Sequence, residues 1–133
     1  MADLTITAAN VDWVSGSKST KDAAETIAVG DCVYDTGSST YGVASNGDAA
    51  KDSVVGIALN AATAAHPVTI AETGTVVGFG AILTVGEMYV LSATGKISPI
   101  GDKASSDYVS YIGYGDTTSN MKLTIHNTGR QVA

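Results

Sequence analysis

The residue types that support catalysis or metal binding are few in this chain and widely spaced. The chain has two histidines, His66 and His126, and one cysteine, Cys32. None of them lies near a second histidine or cysteine at the spacing of a zinc site. His126 alternates with apolar residues, so we expect it on the polar face of a strand, and His66 precedes Pro67 at a strand entry. The sequence predicts no metal site and no cofactor.

The remaining candidates for chemistry are also isolated. Cys32 lies in an apolar segment between Asp31 and Asp35, a setting that favours a buried packing role over a reactive thiol. The triplets Gly78-Phe79-Gly80 and Gly113-Tyr114-Gly115 lack the Gly-Lys-Ser/Thr of a phosphate loop, and glycines within strands mark bulges or close backbone approach. The carboxylates stand singly, and several of them flank turn glycines. We therefore predict no catalytic residues and no enzyme, although the fold could still bring two carboxylates together.

Composition and charge narrow the function classes. The chain has 133 residues, of which 44% are hydrophobic and only 15% charged, and its formal net charge is −6. This length fits one domain. An acidic protein with scattered lysines is not expected to bind nucleic acid or an anionic membrane surface. The N-terminal residues show no secretory signal, and no apolar run is long enough to span a membrane, so we expect a protein made in a reducing cytoplasm.

Short alternating segments separated by turn residues predict an all-β fold. Residues 121–126 alternate apolar and polar side chains, and turn signals such as Asn46-Gly47-Asp48 separate the segments. The regular spacing of short strands favours a small barrel or a sandwich over βαβ units. Residues 1–24 differ from the rest, because a short alternating segment is followed by a flexible polar run. We therefore predict an extended N-terminal arm (1–24) and a β domain (25–133).

An internal repeat divides the predicted β domain into two halves, 25–80 and 81–133. Three blocks recur in the same order, at offsets of 56, 57 and 55 residues. They begin at Ile27 and Leu83, at Val54 and Tyr111, and at Val68 and Leu123. Each half would be a four-stranded unit with one apolar face, so we expect the halves to close on each other about a pseudo-two-fold axis.

Aromatic residues mark two possible contact regions. Trp13 is the only tryptophan and lies in the arm, where it either caps the domain or anchors a partner. Tyr108, Tyr111 and Tyr114 cluster in one segment. Simple alternation predicts Tyr108 and Tyr114 on one face with Ile112, and Tyr111 on the other.

The arrangement of these segments is similar to the small head decoration, or capsid cement, proteins of tailed bacteriophages. The blocks that carry the resemblance are an N-terminal segment, the paired Val-Gly-acid turns with their strands, a central glycine strand and a closing strand. They read Ala2-Asp3-Leu4-Thr5-Ile6-Thr7-Ala8-Ala9-Asn10-Val11, Thr26-Ile27-Ala28-Val29-Gly30-Asp31-Cys32-Val33-Tyr34, Val55-Gly56-Ile57-Ala58-Leu59-Asn60, Leu83-Thr84-Val85-Gly86-Glu87-Met88-Tyr89-Val90-Leu91-Ser92 and Leu123-Thr124-Ile125-His126-Asn127-Thr128-Gly129.

The resemblance implies a β-tulip-like fold and a structural role on the outer surface of an icosahedral phage head, after assembly in the bacterial host cytoplasm. The implied partners are the major capsid protein and further copies of the chain, as a homotrimer, with neither nucleic acid nor membrane. On this basis we predict that the following residues contact the capsid or another subunit: Leu4, Ile6, Val11, Trp13, Tyr108 and Tyr111.

Two other classes remain open from the sequence. A β-rich binding module, such as a tail-fibre, adhesin or carbohydrate-binding domain, would share the architecture but usually carries an aromatic platform or calcium carboxylates. A hydrolase would require a pocket in which the fold assembles two carboxylates or a His–Asp pair.

Overall fold

The protein is built almost entirely of β-strands, which confirms the predicted all-β class. A computed structural model describes residues 3–92, 95–100 and 108–131. A 3₁₀ turn, Ala8–Asn10, is the longest helical element within these ranges. No helix in the described ranges has the length and apolar character needed to cross a membrane.

The strands are short at the start of the chain and longest at its end. In chain order they are β1 (Asp12–Ser15), β2 (Lys18–Ala23), β3 (Cys32–Asp35), β4 (Thr40–Val43), β5 (Val54–Ala58), β6 (Pro67–Ala71), β7 (Val76–Gly78), β8 (Met88–Leu91), β9 (Ile97–Pro99), β10 (Tyr108–Gly115) and β11 (Asn120–Gln131).

The strands form a closed barrel and a separate open sheet. The barrel has the order β2-β4-β3-β5-β6, and a parallel pairing between β2 and β4 closes it. The open sheet has the order β1-β7-β11-β10-β8-β9, and every pairing in it is antiparallel. The barrel comes from the first half of the chain, while the sheet comes from the second half together with β1.

Strand pairing confirms that the two halves repeat. The barrel order β4-β3-β5-β6 recurs as β9-β8-β10-β11 in the sheet. Cys32 pairs with Ile57, and their predicted counterparts Met88 and Tyr114 pair with each other. The sequence offsets of 56 and 57 residues therefore correspond to the same register in both halves.

The repeated glycines explain why this register is specified. Gly56 and Gly113 each follow a bulge on a central strand. A Cβ atom on Gly56 would overlap the carbonyl oxygen of Ala71, and one on Gly113 would overlap the carbonyl oxygen of Lys122. Only glycine lets the neighbouring backbone approach so closely.

The third repeated block is aligned differently in the structure. Ile57 pairs with Ala71 and its counterpart Tyr114 pairs with Lys122, so Ala71 corresponds to Lys122. The sequence alignment at an offset of 55 had matched Ala71 with His126, and it is therefore wrong by four residues. Both segments read Val/Leu-Thr-Ile because buried strands reuse β-branched residues, and this similarity does not fix the register.

The repeat also begins earlier than the sequence suggested. Lys18 in β2 pairs with Ala71, and Val76 in β7 pairs with Lys122, so β2 and β7 are counterparts. Each half therefore has five strands, and the first of them lies within residues 1–24. The boundary at residue 24 separates β2 from the barrel to which it belongs.

The halves pack through unlike faces. In β3, Val33 faces the barrel interior, while Cys32 faces a second core that lies between the barrel and the sheet. On β5, Ala58 faces the barrel interior and Ile57 faces the second core. The second core contains barrel residues and inward-facing sheet residues: Cys32, Ala44, Val54, Ile57, Ala71, Val77, Phe79, Leu83, Tyr89, Leu91, Ile97, Ile112, Met121 and Leu123. The outer face of the barrel thus packs on the inner face of the sheet, without the predicted closure of two like faces.

Hydrogen bonds connect the two bodies. The amide side chain of Asn127 on β11 accepts the N–H of Val54 and donates to its carbonyl, both at 2.9 Å. The loop before β9 also contacts the barrel. The Cys32 N–H donates to the Gly95 carbonyl, and the Gly95 N–H donates to the Ala44 carbonyl. These bonds satisfy backbone groups that would otherwise be buried without partners at the junction.

We predict that Gly113→Ala is strongly destabilising. The new methyl group would overlap the Lys122 carbonyl oxygen, and overpacking of this kind costs about 1–3 kcal/mol. Chemical denaturation monitored by circular dichroism measures the free energy of unfolding.

Gly47→Ala is the matched control, since the nearest atom to its new Cβ would be Ser45 Oγ at 3.9 Å. It should shift the free energy of unfolding by less than about 0.5 kcal/mol. Equal losses for the two variants would contradict the close approach at Gly113.

Candidate functional site

The side chains that could bind a metal or act as nucleophiles lie apart from one another in the described structure. No group of three or more His, Cys, Asp or Glu side chains within the described ranges could hold a metal ion. Cys32 is fully buried, and burial raises the pKa of its thiol. His66 is exposed, with Nδ1 2.9 Å from the hydroxyl of Thr63 in its own loop.

A small cleft opens at one end of the barrel. It has a volume of about 180 Å³ and lies beside the bridge between Ile27 and Ala62. Its lining residues carry only methyl, methylene and hydroxyl groups: Thr26, Ile27, Ala61, Ala62 and Thr63. The cleft therefore contains no acid, base or charged side chain that could take part in a reaction.

Asp31 is a buried carboxylate at the junction of the two bodies. It is 8% exposed, and its Oδ2 accepts the Ala28 N–H at 2.9 Å. Burial raises the pKa of Asp31, while the Ala28 hydrogen bond and the charge of Lys96 oppose that rise. A Cβ on Gly95 would lie 3.2 Å from the Asp31 carboxyl carbon. The side chain therefore sits under the loop before β9, which is hydrogen-bonded to the barrel.

Three of the predicted interface residues pack within their own chain. Leu4, Ile6 and Val11 are half-buried and lie against the core between the barrel and the sheet. Leu4 N–H also donates to the carbonyl of Ile97 at 2.7 Å, which ties the N-terminal segment to edge strand β9.

Trp13 is a member of β1 in the open sheet. It pairs with Val77 and is half-buried, and the Nζ of Lys18 lies 4.3 Å from the centroid of its ring. A cation above an indole face is a stabilising contact. The two alternatives from the sequence were capping and anchoring; Lys18 covers one face of the ring, while the buried indole Nε1–H has no hydrogen-bond partner among the described residues.

The two predicted tyrosines lie on β10, where a bulge changes the faces. Tyr108 N–H donates to the carbonyl of Asn46, and Tyr111 stacks on His126 with ring centroids 6.2 Å apart. Ile112 is fully buried in the core. Because the bulge follows Tyr111, both Tyr111 and Tyr114 point to the outer face of the sheet, and the prediction that they lie on opposite faces is wrong.

The outer face of the open sheet presents a group of apolar and aromatic side chains. Beside a row at the β1 edge that contains Asp12, Gly78 and Asn120, two cross-strand rows build this face. One row is Val76–Lys122–Tyr114–Met88, and the other is His126–Tyr111–Val90–Ser98. Val90 and Ser98 are buried, whereas the other members are exposed or half-buried. We call those members the tyrosine face: Val76, Met88, Tyr111, Tyr114, Lys122 and His126.

The tyrosine face differs in charge from the chain as a whole. Neither of its rows contains a carboxylate, although the chain has 13 acidic residues and a net charge of −6. Its charged member is Lys122, and Tyr114 is 36% exposed. A neutral to basic patch with two aromatic residues is suited to contact with another protein.

Three residues on the equivalent face of the barrel are covered. Cys32, Ile57 and Ala71 are the counterparts of Met88, Tyr114 and Lys122, and all three are fully buried under the open sheet. The same position in the repeat is therefore an internal contact in the first half and a surface in the second half.

Sequence reasoning missed Tyr114 and Met88 as interface candidates. The repeat already aligned Met88 with Cys32 and Tyr114 with Ile57. These two alignments were not combined to predict that Met88 and Tyr114 share one face of the sheet. The signal that could have found them is this alignment, because a buried residue in one half with an exposed aromatic counterpart in the other indicates a contact surface.

Comparison of the chain with models of protein families and with curated protein sequences finds no match.

We predict that Asp31→Asn flattens the pH dependence of stability. The pKa of Asp31 is raised in the folded state, so its contribution to stability is complete below the unfolded pKa of about 3.9 and is lost as the pH rises through the folded value. Asparagine keeps an acceptor for the Ala28 N–H and carries no charge. Denaturation curves from about pH 3 to pH 7 should therefore give a free energy of unfolding that falls less in the variant.

Asp116→Asn removes the same charge from an exposed turn and is the control. Its curve should parallel that of the wild type. If Asp31→Asn also runs parallel, the buried carboxylate does not contribute to the pH dependence.

We predict that Cys32 is unreactive until the protein unfolds. The thiolate is the reactive form, and burial both raises the thiol pKa and blocks access. Titration with a thiol-reactive chromophore at increasing denaturant should show labelling that follows the unfolding transition. Rapid labelling of the native protein would contradict the burial of Cys32.

Proposed function

We propose that the protein is a structural component of a phage virion. It binds the outer surface of an icosahedral head and stabilises the lattice of the major capsid protein. In this role it needs no cofactor and no catalytic group, and its partners are the major capsid protein and further copies of itself, as a homotrimer.

The tyrosine face is the observation that carries the proposal. It offers Tyr114, Tyr111 and Met88 on the outer face of the open sheet, next to Lys122 and His126. Aromatic and methionine side chains are enriched at protein interfaces, whereas acidic ones are depleted. An exposed sheet face with aromatic side chains supports binding to another large surface more readily than enclosure of a small substrate.

The rest of the molecule is consistent with a structural role. The described carboxylates and histidines form no metal-binding group, and the cleft at the barrel end has no titratable lining. Two connected cores hold the barrel and the sheet together. A modest contact, repeated at every equivalent position of a symmetric shell, would give strong total attachment.

We predict that the purified protein binds expanded heads that lack it and raises their temperature of disruption. A protein that binds the intact shell and not the disrupted shell shifts the equilibrium toward the intact shell by mass action. Co-sedimentation measures the binding, and light scattering during heating measures the disruption.

Unexpanded heads of the same phage provide the control, and the resemblance implies that they bind less. Failure to bind expanded heads would reject the proposal. Binding to a glycan array in place of heads would favour the alternative of a β-rich binding module.

A further inference from the structure

The internal repeat indicates what kind of surface covers the tyrosine face. In the barrel, the counterparts Cys32, Ile57 and Ala71 lie beneath the apolar inner face of the open sheet. The second half presents the same position of the same strands without such a cover in the described part of the chain. A surface that packs on the tyrosine face would therefore be broad and apolar, like the inner face of a sheet.

A second copy of this chain cannot supply that surface in the same way. The inner face of its first half is enclosed by the barrel, where Val33, Val68 and Ile70 are fully buried. The inner face of its second half already packs on the barrel. Both inner faces are therefore occupied within each copy.

Direct contact between two tyrosine faces is also disfavoured. A two-fold contact would place the same patch on both sides, so the Lys122 ammonium groups would be brought to one interface. Neither row of the face has a carboxylate that could compensate them. Like charges brought together at an interface lower the affinity.

Charge favours a neutral or acidic protein as the occupant. The tyrosine face has Lys122 and His126 and lacks carboxylates in its rows, whereas the chain has a net charge of −6. An acidic protein with a patch that holds Lys122 and no carboxylate can bind a partner that is itself neutral or acidic there, without repulsion.

We propose that the tyrosine face is the docking surface for a different protein, one that presents a broad apolar surface of neutral to acidic charge. This inference deepens and rests on the proposed function, in which that protein is the major capsid protein. It assigns the contact to Met88, Tyr111 and Tyr114, whereas the half-buried N-terminal residues Leu4 and Ile6 pack against the core of their own chain.

The first test uses the full chain and expanded heads. Tyr114→Ser removes an exposed ring from the face, and Met88→Ser/Tyr114→Ser removes two of its apolar groups. The double variant should weaken binding to heads by about tenfold or more, because aromatic side chains at the centre of an interface dominate affinity. Val14→Ser is the matched control, since Val14 is 47% exposed on β1, outside the two rows, and its binding should not change.

The second test changes charge at one site of the same surface. Thr124 is exposed and lies on β11 between Lys122 and His126, which both point outward. Thr124→Glu should weaken binding, and Thr124→Lys should leave it unchanged or strengthen it. Circular dichroism and the melting temperature of each variant show whether the fold is kept, and both substitutions replace an exposed residue.

The outcomes separate this inference from the proposed function. If the wild type does not bind heads, the proposed function fails. If it binds and the folded Tyr114 and Met88 variants bind equally well, the capsid contact lies elsewhere and the inference is overturned. If light scattering after size exclusion shows a wild-type oligomer that the double variant loses, the face joins copies of the chain, and the inference is again overturned.

Discussion

The packing of the barrel on the inner face of the open sheet is the contact on which the remaining structure depends. A barrel buries its interior by closing on itself, but an open sheet with an apolar face needs a second layer. The barrel supplies this layer through Cys32, Val54, Ile57 and Ala71, which are all fully or almost fully buried. The Asn127 side chain then fixes the position of the two layers, because it pairs with both backbone groups of Val54.

The open sheet has edges, and the structure limits them in several ways. Strand β9 has three residues, and the N-terminal segment bonds to its Ile97 carbonyl. Strand β1 has four residues and a shift in register between Trp13 and Ser15. Short and irregular edge strands are poor templates for further strand addition. The face of the sheet is therefore better suited to contact than its edges are.

Local patterns predicted the all-β class and most of the repeat. The Val-Gly-acid turns could be aligned from sequence because Gly30 and Gly86 both have positive φ, a conformation that favours glycine. Gly56 and Gly113 could be aligned because each allows close approach of a neighbouring carbonyl. A position where only one residue type fits leaves a clear trace in the sequence.

Features that depend on partner strands were not predictable in the same way. The third block was misaligned because many residues can occupy a buried strand, so its composition carries little information on register. Lys18–Ala23 reads as a polar linker, since one side of β2 is exposed and its role in closing the barrel depends on pairing with β4 and β6. Alternation failed at Tyr111 because the bulge adds a residue that sequence periodicity does not reveal.

The interface candidates show the same contrast between local sequence patterns and features that depend on tertiary contacts. Leu4, Ile6 and Val11 are apolar residues in a segment without a repeat counterpart, which suggested a free arm, but they pack, half-buried, against the core. The tyrosine face exists only after the bulge aligns Tyr111 with Tyr114 and three strands bring them beside Met88 and Lys122. Its residues come from four strands, β7, β8, β10 and β11, so no local pattern could group all of them.

Packing unlike faces together gives the molecule a direction. Like faces joined about a two-fold axis would produce a body with two equivalent ends, whereas the outer face of one half against the inner face of the next follows the rule of a stacked array. In such an array the inner face of each unit covers the outer face of the unit before it, and its own outer face is covered by the next unit. The closed barrel terminates the series at one end, as a capping unit does. At the other end, the outer face of the open sheet is the position on which the inner face of a further unit could pack in the same way. The two ends of the two-unit chain are therefore not equivalent.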